Sequence, residues 1–434
     1  MAPLAPHSRS PHSSPHVTML LDNAFLPDPR VANEARSLTR AGCCVTILAW
    51  DREGERPPIE WWHGVRVERL GPRSRHHRGS VQALYFLAFW WRVFWRLLGA
   101  RADVIHCHDF DTLPVGWLAA ALKGCRLVYD AHESYADMLG GNVAGWIRRT
   151  VAWVERLLIG RADAVLTVGE LLEADLRRRG ARRTWVVGNW KPLDAFALDP
   201  AAVAAERRAL VGGVPSTVGG VSPRRDTRDG DIPPTIMRDG DVPPTSARLV
   251  VATIGWLNAD RGIEPLLDAV EGLDDVVLVV GGDGTLAPRV REAAARCPRI
   301  RYLGFVDPAR VPLYTCVADV VYHGLDATNP NARYGAPNKL FEALAAGKAV
   351  VCNDCGELGR IVREEGCGVV ADALTAEALA RAFCELLEPG RLAECQARAG
   401  RAGRERYNWA MAERRLLGLY GDLGLVPKAG GSDG

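Results

Sequence analysis

The stretch "YGAPNKLFEALAAGKAVV", residues 334–351, places a lysine and a glutamate one helical turn apart, directly after a loop with glycine and proline. Gly335 permits a tight backbone turn, and Pro337 favours the first turn of a helix. Lys339 and Glu342, at positions i and i+3, then share one face of that helix. A cation near a helix N-terminus suits an anionic ligand, and a carboxylate there is well placed to hold a polar ligand. The alternative is an ion pair on a solvated helix.

Two other loops of the second half carry residues suited to a phosphate ligand. In "GWLNADRGIEPLL", Arg261 and a glycine precede a helix whose first amide groups point toward the loop. A guanidinium is a planar fork that matches phosphate oxygens, although a solvated loop arginine has the same sequence signature. The loop "GGDGTL" contains Gly282, Asp283 and Gly284, which allow a ligand to approach the backbone. It lacks the spacing of a dinucleotide fingerprint or a P-loop, so an ordinary turn is the alternative.

In the first half, polar side chains collect where predicted strands end. "VYDAHES" closes one buried run with Asp130, His132 and Glu133, and "VIHCHD" closes another with His108 and Asp109. Ligand sites of open α/β sheets lie at the carboxyl ends of strands. A single histidine more often has a structural role, and this position is an argument for a functional role of His132. Asp130 or Glu133 would orient its ring.

The run "HCHD", residues 106–109, has the residue types of a metal site but not the geometry. Successive side chains of a strand point to opposite faces, so His106 and His108 face one way and Cys107 faces the other. The four residues therefore cannot form one compact ligand set, and we predict no metal site.

The elements that must position these residues alternate regularly along the chain. From residue 16 onward, Val/Ile/Leu-rich runs typical of buried parallel strands alternate with helical patterns, beginning with "HVTMLLD", "PRVANEARSLTRAG" and "CCVTILAWD". A second series begins at "ARLVVATIGWL". The pattern predicts an α/β protein with two doubly wound, Rossmann-like domains that face each other across a cleft.

These patterns divide the chain into five parts. They are a disordered leader (1–15), an N-terminal Rossmann-like domain (16–195), a disordered low-complexity insert (212–247), a C-terminal Rossmann-like domain (248–405) and a final segment (406–434) whose helix crosses back to the first domain. The insert is rich in proline, glycine and aspartate, and "RDGDIPPT" recurs in it as "RDGDVPPT". Two copies are too few for a repeat architecture.

Composition and charge limit the classes of binding partner that the chain is expected to have. With 54 basic and 52 acidic residues the formal net charge is +2, which gives no overall field for nucleic acid, and we expect no such partner. Residues 81–100 mix arginines with aromatic residues, which predicts peripheral association with an anionic membrane; the alternative is a core helix with two snorkelling arginines. Cysteines in buried runs and an N-terminus without an apolar signal segment indicate the cytoplasm, including the inner face of the plasma membrane.

The motifs quoted above resemble, in order, those of the family 4 glycosyltransferases, whose fold is called GT-B. In the second half the resemblance rests on the Arg261 loop, on "GGDG", on "ADVVYHG" and on "YGAPNKLFEALAAGKAVV". In the first half it rests on "PDPRVANEARSL", "ADVIHCHDFDTLP", "VYDAHE" and "ADAVLTVGELL". Each motif is weak alone, but the ordered series runs through both predicted domains and is specific.

This resemblance implies a retaining transfer of a sugar from a nucleotide diphosphate sugar to a hydroxyl acceptor in glycan, polysaccharide or glycolipid synthesis. The second domain would hold the donor and the first would hold most of a glycan or lipid-linked acceptor. The implied catalytic residues are His132 near the anomeric carbon, Glu342 on the ribose hydroxyls and Arg261 on the diphosphate. The implied donor-binding residues are Gly282, Asp283, Gly284, Tyr334, Gly335, Ala336, Pro337, Asn338, Lys339 and Glu342. The implied acceptor-side residues are Arg30, His108, Asp109, Asp130 and Glu133.

One position departs from the family pattern. Glu342 matches the second glutamate of the family's E-x7-E motif, but the first would fall where this chain has Tyr334. A non-catalytic protein that binds a nucleotide sugar is therefore an alternative. Another is a nucleotide-sugar epimerase of the same fold, which would need further acid/base carboxylates in the cleft. The implied transfer uses no cofactor, and it needs no metal if Arg261 and helix N-termini supply the positive potential.

Overall fold

The computed structural model describes residues 14–26, 28–74, 80–139, 143–212 and 248–427. Nearly all of the predicted leader and of the predicted insert therefore lies outside the described residues. The described chain forms two α/β lobes, each built on one sheet, and the predicted fold class is confirmed.

The first lobe contains eight strands among its described residues. They are β1 (His16–Leu21), β2 (Cys44–Trp50), β3 (Ile59–Trp62), β4 (Val65–Leu70), β5 (Val104–His108), β6 (Arg126–Ala131), β7 (Ala164–Thr167) and β8 (Thr184–Val186). The helices are α1 (Pro29–Arg40), α2 (Ser80–Gly99), α3 (Leu113–Lys123), α4 (Tyr135–Leu139), α5 (Gly145–Ile159) and α6 (Glu170–Arg178). The strand order is β3-β4-β2-β1-β5-β6-β7-β8, and only the β3–β4 pair is antiparallel.

This β3–β4 hairpin is a feature that the sequence analysis did not predict. Its turn is His63 and Gly64, with φ angles of 47° and 82°. Two consecutive positive φ angles match the twist of the flanking strands, and glycine takes such an angle without steric cost.

The second lobe has six strands among its described residues, all parallel. They are β9 (Leu249–Ile254), β10 (Val276–Gly281), β11 (Ile300–Tyr302), β12 (Val320–His323), β13 (Ala349–Asn353) and β14 (Gly368–Ala371), in the order β11-β10-β9-β12-β13-β14. The helices from here on are α7 (Pro200–Val211), α8 (Ile263–Glu271), α9 (Ala287–Arg296), α10 (Val311–Val317), α11 (Asn338–Ala346), α12 (Gly356–Glu365), α13 (Ala376–Leu387), α14 (Arg391–Glu405) and α15 (Trp409–Asp422).

Strand order sets the position of the cleft. In the first sheet β1 lies between β2 and β5, and in the second β9 lies between β10 and β12. The connections run in opposite directions from these central strands, so loops diverge at their carboxyl ends and leave a crevice. The register of β5 on β6 places His108 beside Asp130 at the same edge.

The chain crosses between the lobes at two neighbouring places, after β8 and before α15. The two crossings are joined by a backbone hydrogen bond of 3.0 Å from Trp409 N to Lys191 O. Trp190 packs edge-on against Tyr407, with ring centroids 5.6 Å apart. Helix α15 then lies on the first lobe, where the Tyr420 hydroxyl is 3.0 Å from His106 Nδ1.

Candidate functional site

A cavity of about 660 Å³ lies in the cleft and is lined by both lobes. The first lobe contributes His132, Glu133, Val168 and Asn189. The rest of the wall comes from the ends of β9 and β12, from the loops that follow β9, β10, β11 and β12, and from the starts of α10 and α11. The strand-end loops of both sheets therefore meet around one space.

Glycines allow two of these loops to meet closely. Gly282 has a φ of 130°, and a Cβ atom there would lie 1.8 Å from the carbonyl oxygen of Gly255. Any side chain at Gly282 would therefore push the loops apart. Gly282 and Asp283 line the cavity. Gly284 does not, because it packs against Leu257, whose carbonyl oxygen a Cβ would approach to 2.6 Å.

Helix α11 carries a buried lysine into the cavity. Pro337 takes the extended N-cap position and Gly347 ends the helix with a left-handed φ of 63°. Lys339 is only 9% exposed, and its Nζ lies 3.5 Å from His323 Nδ1. Burial, reinforced by the nearby Arg261, lowers the pKa of Lys339 to about 8. The helix N-terminus and this side chain together place positive charge at this part of the wall.

Arg261 and His323 complete a cluster of three basic groups, which we call the cation cluster. Arg261 Nη1 lies 3.5 Å from His323 Nε2, and Arg261 Nε lies 3.3 Å from the exposed carboxylate of Asp260. Burial, with Lys339 and Arg261 nearby, lowers the pKa of His323 well below its usual range. The sequence analysis missed His323, although it ends a buried strand in the same manner as the residues that were singled out.

Glu342 does not form the predicted local alternative, an ion pair with Lys339. Its Oε1 lies 3.4 Å from Nζ of Lys191, which belongs to the first crossing between the lobes. Lys191 also donates a 2.8 Å hydrogen bond to Asn338 Oδ1. Glu342 thus lines the cavity with its charge already balanced from the other side of the cleft.

The segment before α11 forms the remaining floor. Residues 330–334 form a short 3-10 helix, and Tyr334, Gly335, Ala336, Pro337 and Asn338 all line the cavity. Tyr334 is buried, and the Arg333 guanidinium lies 5.0 Å from its ring centroid. At the position of the first family glutamate the chain therefore has a packed aromatic ring.

His132 faces the cavity from the end of β6, held by two carboxylates. Its Nε2 donates to Asp130 Oδ2 at 2.9 Å, and its Nδ1 donates to Asp109 Oδ2 at 3.1 Å. Burial alone would lower the pKa of His132, but these two carboxylates raise it well above its usual range. A positively charged imidazole cannot accept a proton, so His132 serves as a cation and hydrogen-bond donor.

Asp130 is itself fixed by a buried arginine. Arg30 donates from Nε to Asp130 Oδ2 at 2.8 Å and from Nη2 to Asp130 Oδ1 at 2.6 Å. His108 Nδ1 lies 3.1 Å from Asp130 Oδ2. Although burial favours protonation, Arg30 and His132 hold the pKa of Asp130 well below its usual range. We call Arg30, Asp109, Asp130 and His132 the histidine network.

The structure thus brings the predicted acceptor-side residues together in two layers. Arg30, His108 and Asp130 are buried behind His132, and Asp109 holds its other ring nitrogen. Only Glu133 of the five lines the cavity. Glu133 accepts a 2.8 Å hydrogen bond from Asn331 Nδ2 of the second lobe, so this carboxylate bridges the cleft.

A buried cluster behind the network has metal-binding residue types. Glu34, His106, His108 and Asp130 offer ligand atoms within 4.8 Å of one another. The Arg30 guanidinium occupies this neighbourhood, with its Nε 3.3 Å from Glu34 Oε1 and two hydrogen bonds to Asp130. Arg30 thus supplies a positive charge to both carboxylates of the cluster.

Two family models match the chain. One is described as a glycosyl transferase 4-like domain and matches residues 27–190, and the other is described as glycosyl transferases group 1 and matches residues 248–389. The chain belongs to glycosyltransferase family 4. The predicted resemblance is therefore confirmed, and the matched residues include all predicted site residues in both lobes.

Curated relatives of this family 4 glycosyltransferase include two kinds of inositol-directed enzyme by name. A phosphatidyl-myo-inositol mannosyltransferase of Mycobacterium leprae is 31% identical over 172 residues, which is 37% of this chain and 42% of the relative. The match thus spans less than half of that mannosyltransferase. A D-inositol 3-phosphate glycosyltransferase of Thermobispora bispora is 27% identical over 90% of this chain and 88% of its own. Neither relative is named as an epimerase.

Solved structures share the fold of the two lobes. Sucrose-phosphate synthase from Thermosynechococcus elongatus superposes with a TM-score of 0.71 at 18% identity, covering 94% of this chain and 99% of its own. Anabaena HepE in complex with UDP-glucose has a TM-score of 0.65 at 17% identity, covering 94% and 99%. The GT-B architecture predicted for this family 4 glycosyltransferase is confirmed.

Proposed function

We propose that this chain is a retaining glycosyltransferase that moves a sugar from a nucleotide diphosphate sugar to an acceptor hydroxyl. The observation that carries the proposal is the cavity between the lobes. Its second-lobe wall sets the buried Lys339 beside Arg261 and the N-terminus of α11, and its first-lobe wall presents a charged histidine. A negatively charged diphosphate on one side and a sugar on the other fit this arrangement.

The donor's diphosphate is proposed to lie against Arg261, Lys339 and the first amides of α11. Cationic side chains and a helix N-terminus stabilise an anion, and they are strongest where water is excluded. Glu342 would accept hydrogen bonds from the ribose hydroxyls. The neighbouring structure HepE was solved with UDP-glucose, which is a donor of this class.

The reaction needs charge stabilisation more than a strong base. The bond between the sugar C1 and the diphosphate oxygen breaks, and its electron pair stays on the leaving phosphate. The acceptor oxygen bonds to C1 on the same face, and its proton passes to the leaving phosphate oxygen. His132 cannot take this proton because it is already charged, and both of its N–H groups are held by Asp109 and Asp130. Its proposed role is to present a fixed positive charge to the reacting donor. In this scheme neither a cofactor nor a metal ion takes part.

A thermal-shift screen tests the proposal. The purified protein is heated with UDP-glucose, UDP-N-acetylglucosamine, GDP-mannose and ADP-glucose, each with and without Mg²⁺. Binding to the folded state alone raises the melting temperature, so we expect a selective rise that does not depend on Mg²⁺. The hit is then incubated with hydroxyl acceptors, and release of nucleoside diphosphate reports turnover.

Two outcomes would contradict the proposal in different ways. A shift without turnover under any acceptor would favour a non-catalytic binding protein, the alternative that Tyr334 raises. A rise that requires Mg²⁺ would contradict metal-independent transfer.

A lipid-linked acceptor and peripheral membrane association are part of the proposal. Helix α2 buries Phe89, Val93 and Leu97 but exposes an apolar stripe on its other face. The exposed stripe consists of Leu84, Leu87, Trp91 and Trp95. The segment from Arg69 to Arg101 contains no acidic residue, which suits an anionic lipid surface at the cytoplasmic membrane face. Among the described residues, no helix has the length and apolar character to cross a bilayer.

Vesicle sedimentation tests the membrane contact. We expect the protein to bind vesicles of phosphatidylglycerol more tightly than vesicles of phosphatidylcholine. The double variant Trp91→Ser and Trp95→Ser should lose most of this binding, whereas Trp61→Ser is a matched control because Trp61 is exposed on the β3–β4 hairpin. Equal binding by all three proteins would contradict the contact through α2.

A further inference from the structure

One member of the cation cluster, His323, has no role in the donor binding that we propose for Arg261 and Lys339. His323 ends β12, is 5% exposed and lines the cavity. Both of its ring nitrogens face a cation, Lys339 Nζ at 3.5 Å from Nδ1 and Arg261 Nη1 at 3.5 Å from Nε2. It is thus wedged between two positive charges at the edge of the cleft.

An imidazole in this position cannot satisfy both neighbours. In its neutral form one nitrogen accepts a hydrogen bond and the other carries a proton. The accepting nitrogen suits one cation, but the N–H group is then directed at the other. In its charged form both N–H groups face cations. The free protein therefore leaves this imidazole without a proper acceptor for its own proton.

The side chains around His323 do not supply that acceptor. Among the described residues no salt bridge joins His323 to a carboxylate. The nearby Asp260 pairs with Arg261, and Glu342 pairs with Lys191. The two other members of the cluster come from the loop before α8 and from α11, and both are basic. An acceptor for the His323 proton must come from the cavity.

The charges in the free protein agree with this geometry. Burial and the two cations lower the pKa of His323 well below its usual range, so the ring is neutral near pH 7. An anion in the cavity would act in the opposite direction, because a nearby negative charge favours the protonated ring.

We propose that His323 is a third ligand of the donor's diphosphate and takes up a proton from solvent when the donor binds. The inference rests on the proposed function and extends it to the histidine of "ADVVYHG", for which the resemblance implies no role. The added proton raises the charge of the cluster before the sugar bond breaks. It stays on His323 during transfer, where it offsets the extra negative charge that the leaving diphosphate gains.

Calorimetry measures this proton directly. UDP-glucose and GDP-mannose are suitable probes, because their diphosphates are esterified at both ends and do not titrate near neutral pH. Binding is measured at about pH 6.5 in two buffers of different ionisation enthalpy, and the difference gives the protons taken up per donor bound. We compare the wild type, His323→Gln and His132→Gln, which removes a cavity histidine that is already charged.

We expect the wild type and His132→Gln to take up close to one proton and His323→Gln to take up almost none. The affinity of His323→Gln should fall about tenfold, as for the loss of one hydrogen bond to a charged group. At about pH 8.5 uptake should persist in His323→Gln, because Lys339, with its pKa of about 8, is then the group that gains the proton.

The outcomes separate this inference from the proposed function. Donor binding with the same proton uptake in the wild type and in His323→Gln would overturn the role of His323 and leave the transferase proposal intact. Absence of binding by either probe and by the whole thermal-shift panel would overturn both. If His323→Gln does not fold, the wild type alone still decides. Its donor affinity should weaken as pH rises from about 5.5 to about 7, below the range in which Lys339 titrates, and a flat profile would contradict the inference.

Discussion

The two walls of the cleft handle buried charge in opposite ways. The histidine network of the first lobe pairs every charge: Arg30 with Asp130, and His132 with Asp130 and Asp109. The cation cluster of the second lobe gathers Arg261, His323 and Lys339 with a single exposed carboxylate beside Arg261. The first wall is complete without a ligand, whereas the second carries an electrostatic cost that a ligand's negative charge would relieve.

This difference assigns separate roles to the two walls: the histidine network stabilises the fold, and the cation cluster is proposed to bind the ligand. A paired network keeps its geometry in the free protein, so it can position His132 before any substrate arrives. The buried Lys339 of the cation cluster lowers the stability of the free protein but gains more on binding an anion, because no carboxylate forms a salt bridge with it among the described residues. Mutations should therefore affect stability in opposite directions on the two walls.

Breaking the histidine network should have the largest effect. Asp130→Asn leaves the buried Arg30 guanidinium without its main partner and removes one of the two carboxylates that hold His132. We expect a loss of about 3–5 kcal/mol in the free energy of unfolding, measured by urea denaturation, together with a severe loss of turnover. Asp372→Asn is a control, because Asp372 is highly exposed. If Asp130→Asn were as stable as the wild type, the claim that the histidine network stabilises the free protein would be contradicted.

Removing a charge from the cation cluster should have the reverse effect on stability. The lowering of the Lys339 pKa from 10.5 to about 8 corresponds to about 3 kcal/mol of destabilisation near neutral pH. Lys339→Met should therefore unfold at a higher urea concentration than the wild type, while its donor affinity falls about a hundredfold. If Lys339→Met were less stable than the wild type and bound the donor equally well, the proposed role of the cation cluster in donor binding would be contradicted.

The pH dependence of stability sharpens the same comparison. The folded-state pKa of Lys339 lies below the unfolded value, so between about pH 8 and pH 10.5 the unfolded chain holds a proton that the folded chain has released. Stability from this group therefore rises as pH increases across that window. We expect the stability difference between Lys339→Met and the wild type to shrink over the same range, as measured by urea unfolding at stepped pH. A constant difference would show that Lys339 is charged throughout.

The smallest stability effects should come from the ion pair between the walls. Lys191 and Glu342 are partly exposed, and pairs of this kind contribute less than about 1 kcal/mol. We expect Lys191→Met and Glu342→Ala to keep nearly wild-type unfolding curves. Only Glu342→Ala should lose donor binding, because its carboxylate is the proposed ribose ligand. Equal donor affinity in both variants would contradict that role.

The sequence was a good guide to the fold because burial dictates its pattern. Strands that are buried on both faces are apolar along their whole length. Strands β9, β10 and β13 can therefore be recognised in the sequence as short runs rich in valine and other apolar residues. The β3–β4 hairpin was missed because its strands are partly exposed and its turn uses His63 in place of a more common turn residue.

The sequence was a partial guide to the site. The strand-end rule found His132 and Arg261, which line the cavity, but it passed over His323. It could not find the partner of Glu342, because Lys191 lies in the other lobe and local spacing pointed to Lys339. Nor could it separate residues that face the cavity from those buried behind, since Asp130 and His132 are neighbours on one strand end.

Helix α15 makes the first lobe depend on sequence that is synthesised long after the lobe's own strands. Tyr420 is fully buried against His106, and Trp409 donates to Ser37 of α1 at 3.3 Å. The nascent first lobe therefore emerges from the ribosome without one of its covering helices. It stays incompletely packed until residue 422 has been made. The second lobe likewise waits for α14, which packs on its sheet and ends at Glu405, so the two lobes complete their packing near the same point of synthesis.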